Sequence, residues 1–387
     1  MKKFAALLLV ILLIGALVLT GCAQKEDAAT EDDNVIKIGV FQPLSGANAA
    51  GGELEMKGLY LAQELFPEVL GKRVELIVYD NRSDAIEAAN VVRRLVDHHN
   101  VPIIIGCWGS TFAIAAGPII EEAGIPTIAT SATNPLVTIG KDYYFRVTFI
   151  DSFQGVVMAK YTYEEVGAKK VAVIQEIGND YSVALAKFYK DAFVELTGDD
   201  DAIVMVMNYQ TGDQDFSAQL TAIKNSDAQA IFAPGNFTES ALIMKQAREL
   251  GLDLPFVGAD TWETPELIEI AGEAAEGAVF STFFASEVPM TKNSEVFLNA
   301  YREKYGEEPA AVAALAFDAY LVALDAITRA GTTTDSTAIR DALAATDAFP
   351  GAAGTISFDE NGDAVKSAVI KEIRNGKFTF LTIVDPF

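Results

Sequence analysis

The stretch VELIVYDNRSDAIEAANVVRRLVDHHNVPIIIG, Val74 to Gly106, decides the fold. It opens on an apolar run, passes a polar turn, continues with helical spacing and returns to a second apolar run. Both apolar runs are continuous rather than alternating, which is the pattern of strands covered on both faces of a parallel sheet. The stretch IVMVMNYQTGDQDFSAQLTAIKNSDAQAIFAPG, Ile203 to Gly235, repeats the order strand, polar turn, helix, short turn, strand. Two such stretches predict two similar α/β lobes, each a doubly wound parallel sheet.

Working outward, the same rhythm fills both halves. In the first, strands are predicted at 35–41, 74–80, 102–107 and 125–130, with helices at 53–66, 84–97 and 111–123. After Arg146 come helices at 152–166, 181–196, 215–225 and 238–250 and strands at 169–176, 202–209, 228–234 and 254–260. The last part changes character, with helical patterns at 293–304 and 310–329 and then hairpin-like sequence to the end.

The N-terminus reads differently. Lys2 and Lys3 precede an almost unbroken apolar run from Phe4 to Leu19, then LTGC ending at Cys22. A positive start, an apolar core and small residues before a cleavage point make residues 1–21 a secretory signal peptide. Cys22 after Thr-Gly matches a bacterial lipobox, which implies that it becomes the lipidated first residue. Residues 22–34 are acidic and aperiodic, a flexible tether. No later stretch reads as apolar enough to span a membrane.

The remaining chain, within 387 residues that are half apolar, is too long for one compact domain. Loss of residues 1–21 removes Lys2 and Lys3 and takes the formal charge from −25 to −27. So acidic a chain argues against nucleic acid. With Cys22 assigned to lipid, Cys107 stands alone, a small buried hydrophobe with no disulfide partner.

In open α/β sheets ligands sit beyond the carboxyl ends of the strands. The segments found there are QPLSGANAAGG, CWGSTF, TSATNP, EIGNDYS, PGNFTES and GADTWET. The first lobe offers hydroxyls and backbone amides. The second adds acids, Asp180, Glu239 and Asp260, and aromatics come from both: Trp108, Phe112, Tyr181, Phe237 and Trp262. Ser110 is read either as the N-cap of the helix that follows or as an anion ligand at its amino end. Asp260 is likewise a cap or a cation partner. Opposed in one cleft, the two walls suit a zwitterion.

Enzymatic signals are missing. The two histidines, His98 and His99, adjoin at a helix end, point apart and read as solvated surface residues. No nucleophile elbow, P-loop or dinucleotide fingerprint occurs. DENGD at 359–363 lacks calcium-loop spacing and reads as a hairpin turn. No cofactor or metal is expected.

Taken together, QPLSGANAAGG, GCWGS, TIATSATNP, FRVTFIDSFQG, ALIMKQAREL and GADTWETPELIEIAGEAAEG resemble the type I periplasmic-binding-protein family over roughly residues 35–385. The likeness is to the leucine/isoleucine/valine-binding branch that serves ABC importers. It implies two α/β lobes joined by three crossings, lobe 1 from 35–150 and 282–365 and lobe 2 from 151–281 and 366–387. It also implies a monomer that closes on an amino acid, most naturally an aliphatic one, and delivers it to a membrane permease from outside the cytoplasm. By that resemblance Ser110 binds the carboxylate, the Ser131 carbonyl holds the ammonium and Thr133 contacts both. Tyr181 closes over the ligand, Asp260 pairs the ammonium, and a second family tyrosine falls on Asn236 or Phe237. Trp108, Phe237 and Trp262 are side-chain pocket candidates. Two other readings stay open: an amide, urea or sensory binder on the same fold, and a structural lipoprotein with an empty cleft.

Overall fold

A computed structural model describes residues 34–386. The residues read as signal peptide, most of those read as tether, and Cys22 lie outside the described residues. The first sheet contains β1 (Val35–Gln42), β2 (Glu68–Val69), β3 (Lys72–Asp80), β4 (Ile104–Ile105), β5 (Thr127–Ala129) and β6 (Tyr144–Arg146). Its order is β2-β3-β1-β4-β5-β6, with β1, β4, β5 and β6 parallel. The helices α1 (Ala49–Leu65), α2 (Ala85–His99) and α3 (Ser110–Ala123) connect them.

The second sheet follows the same plan. Strands β7 (Val171–Glu176), β8 (Ile203–Tyr209), β9 (Ala230–Phe232), β10 (Phe256–Gly258) and β11 (Val279–Thr282) are parallel in the order β8-β7-β9-β10-β11. Between them run α4 (Asp151–Glu164), which enters the lobe, α5 (Asp180–Thr197), α6 (Ser217–Lys224), α7 (Phe237–Glu249) and α8 (Pro265–Ala271). The closing hairpin β14 (Ala368–Arg374) and β15 (Lys377–Val384) adds two antiparallel strands through an Asn375-Gly376 turn, as such a dipeptide favours. Setting the hairpin strands aside, both sheets have the doubly wound order 2-1-3-4-5, whose switch point lies beside the first strand.

Between β11 and β14 the chain returns to the first lobe through α9 (Lys292–Tyr305), α10 (Ala311–Ala330) and α11 (Ser336–Ala344), then the small hairpin β12 (Phe349–Gly351) and β13 (Gly354–Ile356). The lobes are therefore joined three times, after β6, after β11 and before β14. Phe149 of the first crossing packs on Phe283 of the second, with ring centroids 4.6 Å apart.

The differences from the sequence reading have physical causes. The predicted strand at 102–107 pairs only over Ile104–Ile105, because the chain turns away at Gly106, φ 145°, where a Cβ would meet the Phe41 carbonyl oxygen at 2.2 Å. Helix α1 starts at Ala49 rather than 53. Gly51 and Gly52 look like loop, yet they are helical, and they are glycine where Trp108 and Pro43 occupy the space a side chain would need. Strands β6 and β11 were not predicted; three and four residues are too few to show a period. Contrary to the reading above, α10 is long and apolar enough to cross a membrane, but it is the buried core helix of the first lobe. His99 is not simply solvated: its Nε2 lies 2.9 Å from the Tyr79 hydroxyl. Residues 359–363 do turn back, Asp359 N donating to Asp363 O, and Cys107 is buried and free.

Candidate functional site

A cavity of about 240 Å³ opens where the carboxyl ends of the two sheets face each other. Its first wall comes from segments after β1, β3, β4 and β5, its second from segments at or after the ends of β7, β8, β9 and β10. Of the predicted residues, Trp108, Ser131, Tyr181, Asn236 and Asp260 line it. Ser110 and Phe237 stand one position from lining residues and Thr133 stands two; all three are buried. Trp262 does not belong to it: the indole lies against Gly258 and Phe280 in the core of the second lobe.

The first wall is built for an anion. Ser110 opens α3 rather than capping it; the N-cap is Gly109, φ 96°, which supplies no side-chain hydrogen bond. The amide end of a 14-residue helix therefore faces the cavity through Gly109, Thr111 and Phe112, where free N–H groups and the helix dipole favour a carboxylate. The Ser110 hydroxyl accepts from Asn134 N at 3.1 Å and so braces the next loop.

Behind this wall sits Glu55 of α1, fully buried and without a role in the sequence reading. Its carboxyl accepts from Gln42 Nε2, Thr130 Oγ1 and Ser131 Oγ, each at 2.5 Å, and Gln42 Oε1 accepts from Trp108 N at 2.9 Å. Glu55 thus ties the end of β1 to the loop after β5 and, through Gln42, to the loop after β4. Burial pushes its pKa up to about 7 against the pull of these bonds. The sequence signal was an acid in register with the buried Leu59 and Ala62 of the same helix. Arg146, also fully buried, gathers the loop beyond: it donates to the carbonyls of Ala132 and Asn134 at 2.9 Å, to Thr138 Oγ1, and to Asp363 at 2.5 Å. Thr133 is held between two of those anchors.

The second wall is acidic. Asp260, buried, accepts at Oδ1 from Gln154 Nε2 (2.7 Å) and Tyr181 OH (2.8 Å). Burial still raises its pKa to about 6. Asp151 at the start of α4 is pushed well above the carboxylate range by burial first and by the charge of Asp260 second; the nearby Thr133 hydroxyl and Arg146 act the other way. No well-formed hydrogen bond reaches either Asp151 oxygen or Thr133 Oγ1. Glu176 and Asp260 line the cavity from this wall and Asp84 from the first, and none of the lining residues is Lys or Arg. Gln154 and Tyr181 donate to the Asp260 carboxylate and hold it in a position to accept from a cation. Asp151 and Gln154 both belong to the D-S-x-Q-G sequence, quoted above without a role for either.

The walls touch. Asp180 N donates to Thr111 Oγ1 at 3.0 Å, Asn134 Nδ2 donates to Asp180 O at 2.9 Å, and Trp108 meets Phe237 edge to face at 6.3 Å. Asn134 and Thr111 were not among the predicted site residues; their hydroxyl and amide close the cleft.

Two doubly wound lobes, three crossings and a cavity between an amide-rich and an acidic wall define a hinged solute-binding protein, not an enzyme. The family described as periplasmic binding protein matches residues 35–377, and the chain belongs to it, in the leucine/isoleucine/valine-binding branch of the type I fold. That family works outside the cytoplasm. Among similar proteins, the leucine-, isoleucine-, valine-, threonine- and alanine-binding protein of Pseudomonas aeruginosa is 28% identical, covering 91% of this chain and 92% of its own. The crystal structure of a leucine binding protein, LivK, from Thermotoga maritima is 42% identical with TM-score 0.87, covering 91% and 99%. That of the branched-chain amino acid transporter substrate binding protein LivJ from Streptococcus pneumoniae, in complex with isoleucine, is 37% identical with TM-score 0.85, covering 91% and 100%.

Proposed function

We propose that this protein captures an α-amino acid in the inter-lobe cavity and presents the closed form to an ABC permease. The observation that carries this is the pairing of a free helix amino end on one wall with the buried, cation-less Asp260 on the other. The carboxylate goes to the α3 amides with Ser110 and Thr133 close by. The ammonium goes to Asp260, the Ser131 carbonyl and the Thr133 hydroxyl, while Tyr181 and the Asn236–Phe237 segment cover the ligand. A branched-chain or similar aliphatic ligand is supported by what the similar proteins are named for. An amide or urea ligand would leave Asp260 charged, buried and unpaired, which is costly.

Closure follows from differential binding, since each lobe supplies only half the partners and only the closed state satisfies both ends. Cys22 is the proposed lipid attachment site, so Cys22→Ala is expected to move the protein from the membrane fraction to the soluble one; unchanged fractionation would remove the anchor. Ligand class is tested by calorimetric titration of unfolded-and-refolded protein with leucine, isoleucine, valine, alanine, phenylalanine and urea. Tight binding of an amino acid is expected. Binding of urea alone would overturn the ammonium assignment.

A further inference from the structure

Gln154 does more than steady Asp260. It lies in the first turn of α4, just after the first crossing, and is fully buried. Its Nε2 carries two hydrogens and both are used: one goes to Asp260 Oδ1 at 2.7 Å, the other to Ser281 Oγ at 2.9 Å. Ser281 is the last residue but one of β11, directly before the second crossing. A single carboxamide therefore joins the acid that faces the cavity to the second-lobe ends of two of the three crossings, without lining the cavity itself.

The segment that carries Asp260 is anchored in the same way at its other end. The 3-10 turn Asp260–Trp262 leads into Glu263, whose carboxylate accepts from Thr282 Oγ1 at 2.5 Å and from Lys371 Nζ at 2.7 Å. Thr282 ends β11, and Lys371 belongs to β14, the strand after the third crossing. Glu263 and Lys371 are both buried, so the pair is built into the lobe rather than laid on its surface. The turn cannot shift against the hinge strands without breaking one of these bonds.

A buried carboxylate keeps its charge through donors of this kind. Burial raises the pKa of Asp260, and Gln154 acts against that ahead of Tyr181. The titratable groups facing Asp260 are Tyr181 of α5, Asp151 of α4 and Glu263 of its own segment, and none of them brings a positive charge. Without the Gln154 donor the acid would hold its proton more tightly and lose one of the two side chains that aim it. The start of α3, where the ligand carboxylate goes, would be untouched. Resting on the amino-acid reading above, we propose that Gln154 is a positioning residue: donating to Asp260 and Ser281 together, it fixes the reach of that acid into the cavity to the hinge strands, and so governs recognition of the ligand's ammonium and not of its carboxylate.

The test titrates the tightest amino acid of the panel and its α-hydroxy acid counterpart into the parent and into Gln154→Met, which keeps the length and removes both donors. Folding is checked by circular dichroism melts. Amino-acid affinity is expected to fall about tenfold or more while hydroxy-acid affinity stays within about threefold. The midpoint of the pH profile for the amino acid, about 6 in the parent, is expected to move upward. In Asp260→Asn the same substitution is expected to add nothing, because its route runs through the carboxylate. Ser281→Ala, a smaller change that removes one of the two anchors, is expected to reproduce part of the amino-acid loss. Equal losses for both ligands, an unmoved midpoint, or a full further loss in Asp260→Asn would overturn the proposal while leaving the amino-acid reading intact. So would Ser281→Ala with unchanged affinity. A parent protein that binds both ligands equally would overturn the amino-acid reading and the proposal with it.

Discussion

At Asp260 the chemistry turns on one proton. Burial lifts its pKa to about 6, and only the carboxylate pairs with an ammonium. Ligand affinity is therefore expected to rise with pH up to about 6 and to level off above it, as read by titrations across pH 4.5–8; a flat profile would contradict the pairing. Asp260→Asn keeps the shape and both donors but loses the charge, and a loss of about 10- to 100-fold in affinity at pH 7.5 is expected. Glu55 carries a different consequence. Its folded pKa of about 7 lies above the unfolded value of 4.5, so the folded state holds the proton more tightly. Stability is then highest below about pH 4.5 with respect to this group and is lost as pH rises toward 7, by about 3 kcal/mol at most. Glu55→Gln should flatten that slope in urea titrations and be more stable than the parent at pH 8. Asp260 was legible from sequence because it follows a strand in a Gly-rich loop. Glu55 was not, since an acid inside a helical pattern reads as surface until the helix is placed against the end of β1 and two loops.

Among elements, the long ones were readable and the short ones were not. The 18 residues of α5 and the 20 of α10 show several helical turns each, and the parallel strands announce themselves by unbroken apolar runs. Strand β6 has three residues and owes its place to tertiary partners. Its last residue, Arg146, pairs with Asp363 more than two hundred positions away, which no local pattern reveals. That pair is buried, so Arg146→Met leaves a carboxylate without its cation. We expect a loss of about 3–5 kcal/mol in denaturant unfolding, with part recovered in the double variant Arg146→Met/Asp363→Asn. Additive losses in the double variant would show that the pair does not act as a unit. The loop from Ala132 to Thr138, held by the same guanidinium, is how a distant ion pair reaches the candidate site.

For the whole molecule, repetition made the two-lobed plan legible, because both halves wind in the same order around their first strand. The contacts that close the cleft were not legible, since Thr111, Asn134 and Asp180 meet only when the lobes do. Closure is expected to lower the radius of gyration in solution scattering when ligand is added. Thr111→Val with Asn134→Asp should weaken affinity by about 3- to 30-fold by removing the two cross-lobe hydrogen bonds while the new carboxylate still accepts from Leu136 N. An unchanged affinity would mean that these bonds also persist in the open form. The account as a whole rests on an ammonium meeting Asp260 while a carboxylate meets the start of α3. The most direct measurement is calorimetric titration with the tightest amino acid of the panel and with its α-hydroxy acid counterpart, which keeps the carboxylate and side chain and replaces only the ammonium. Binding of the amino acid at least about 100-fold tighter is predicted; equal binding of the two would contradict the account.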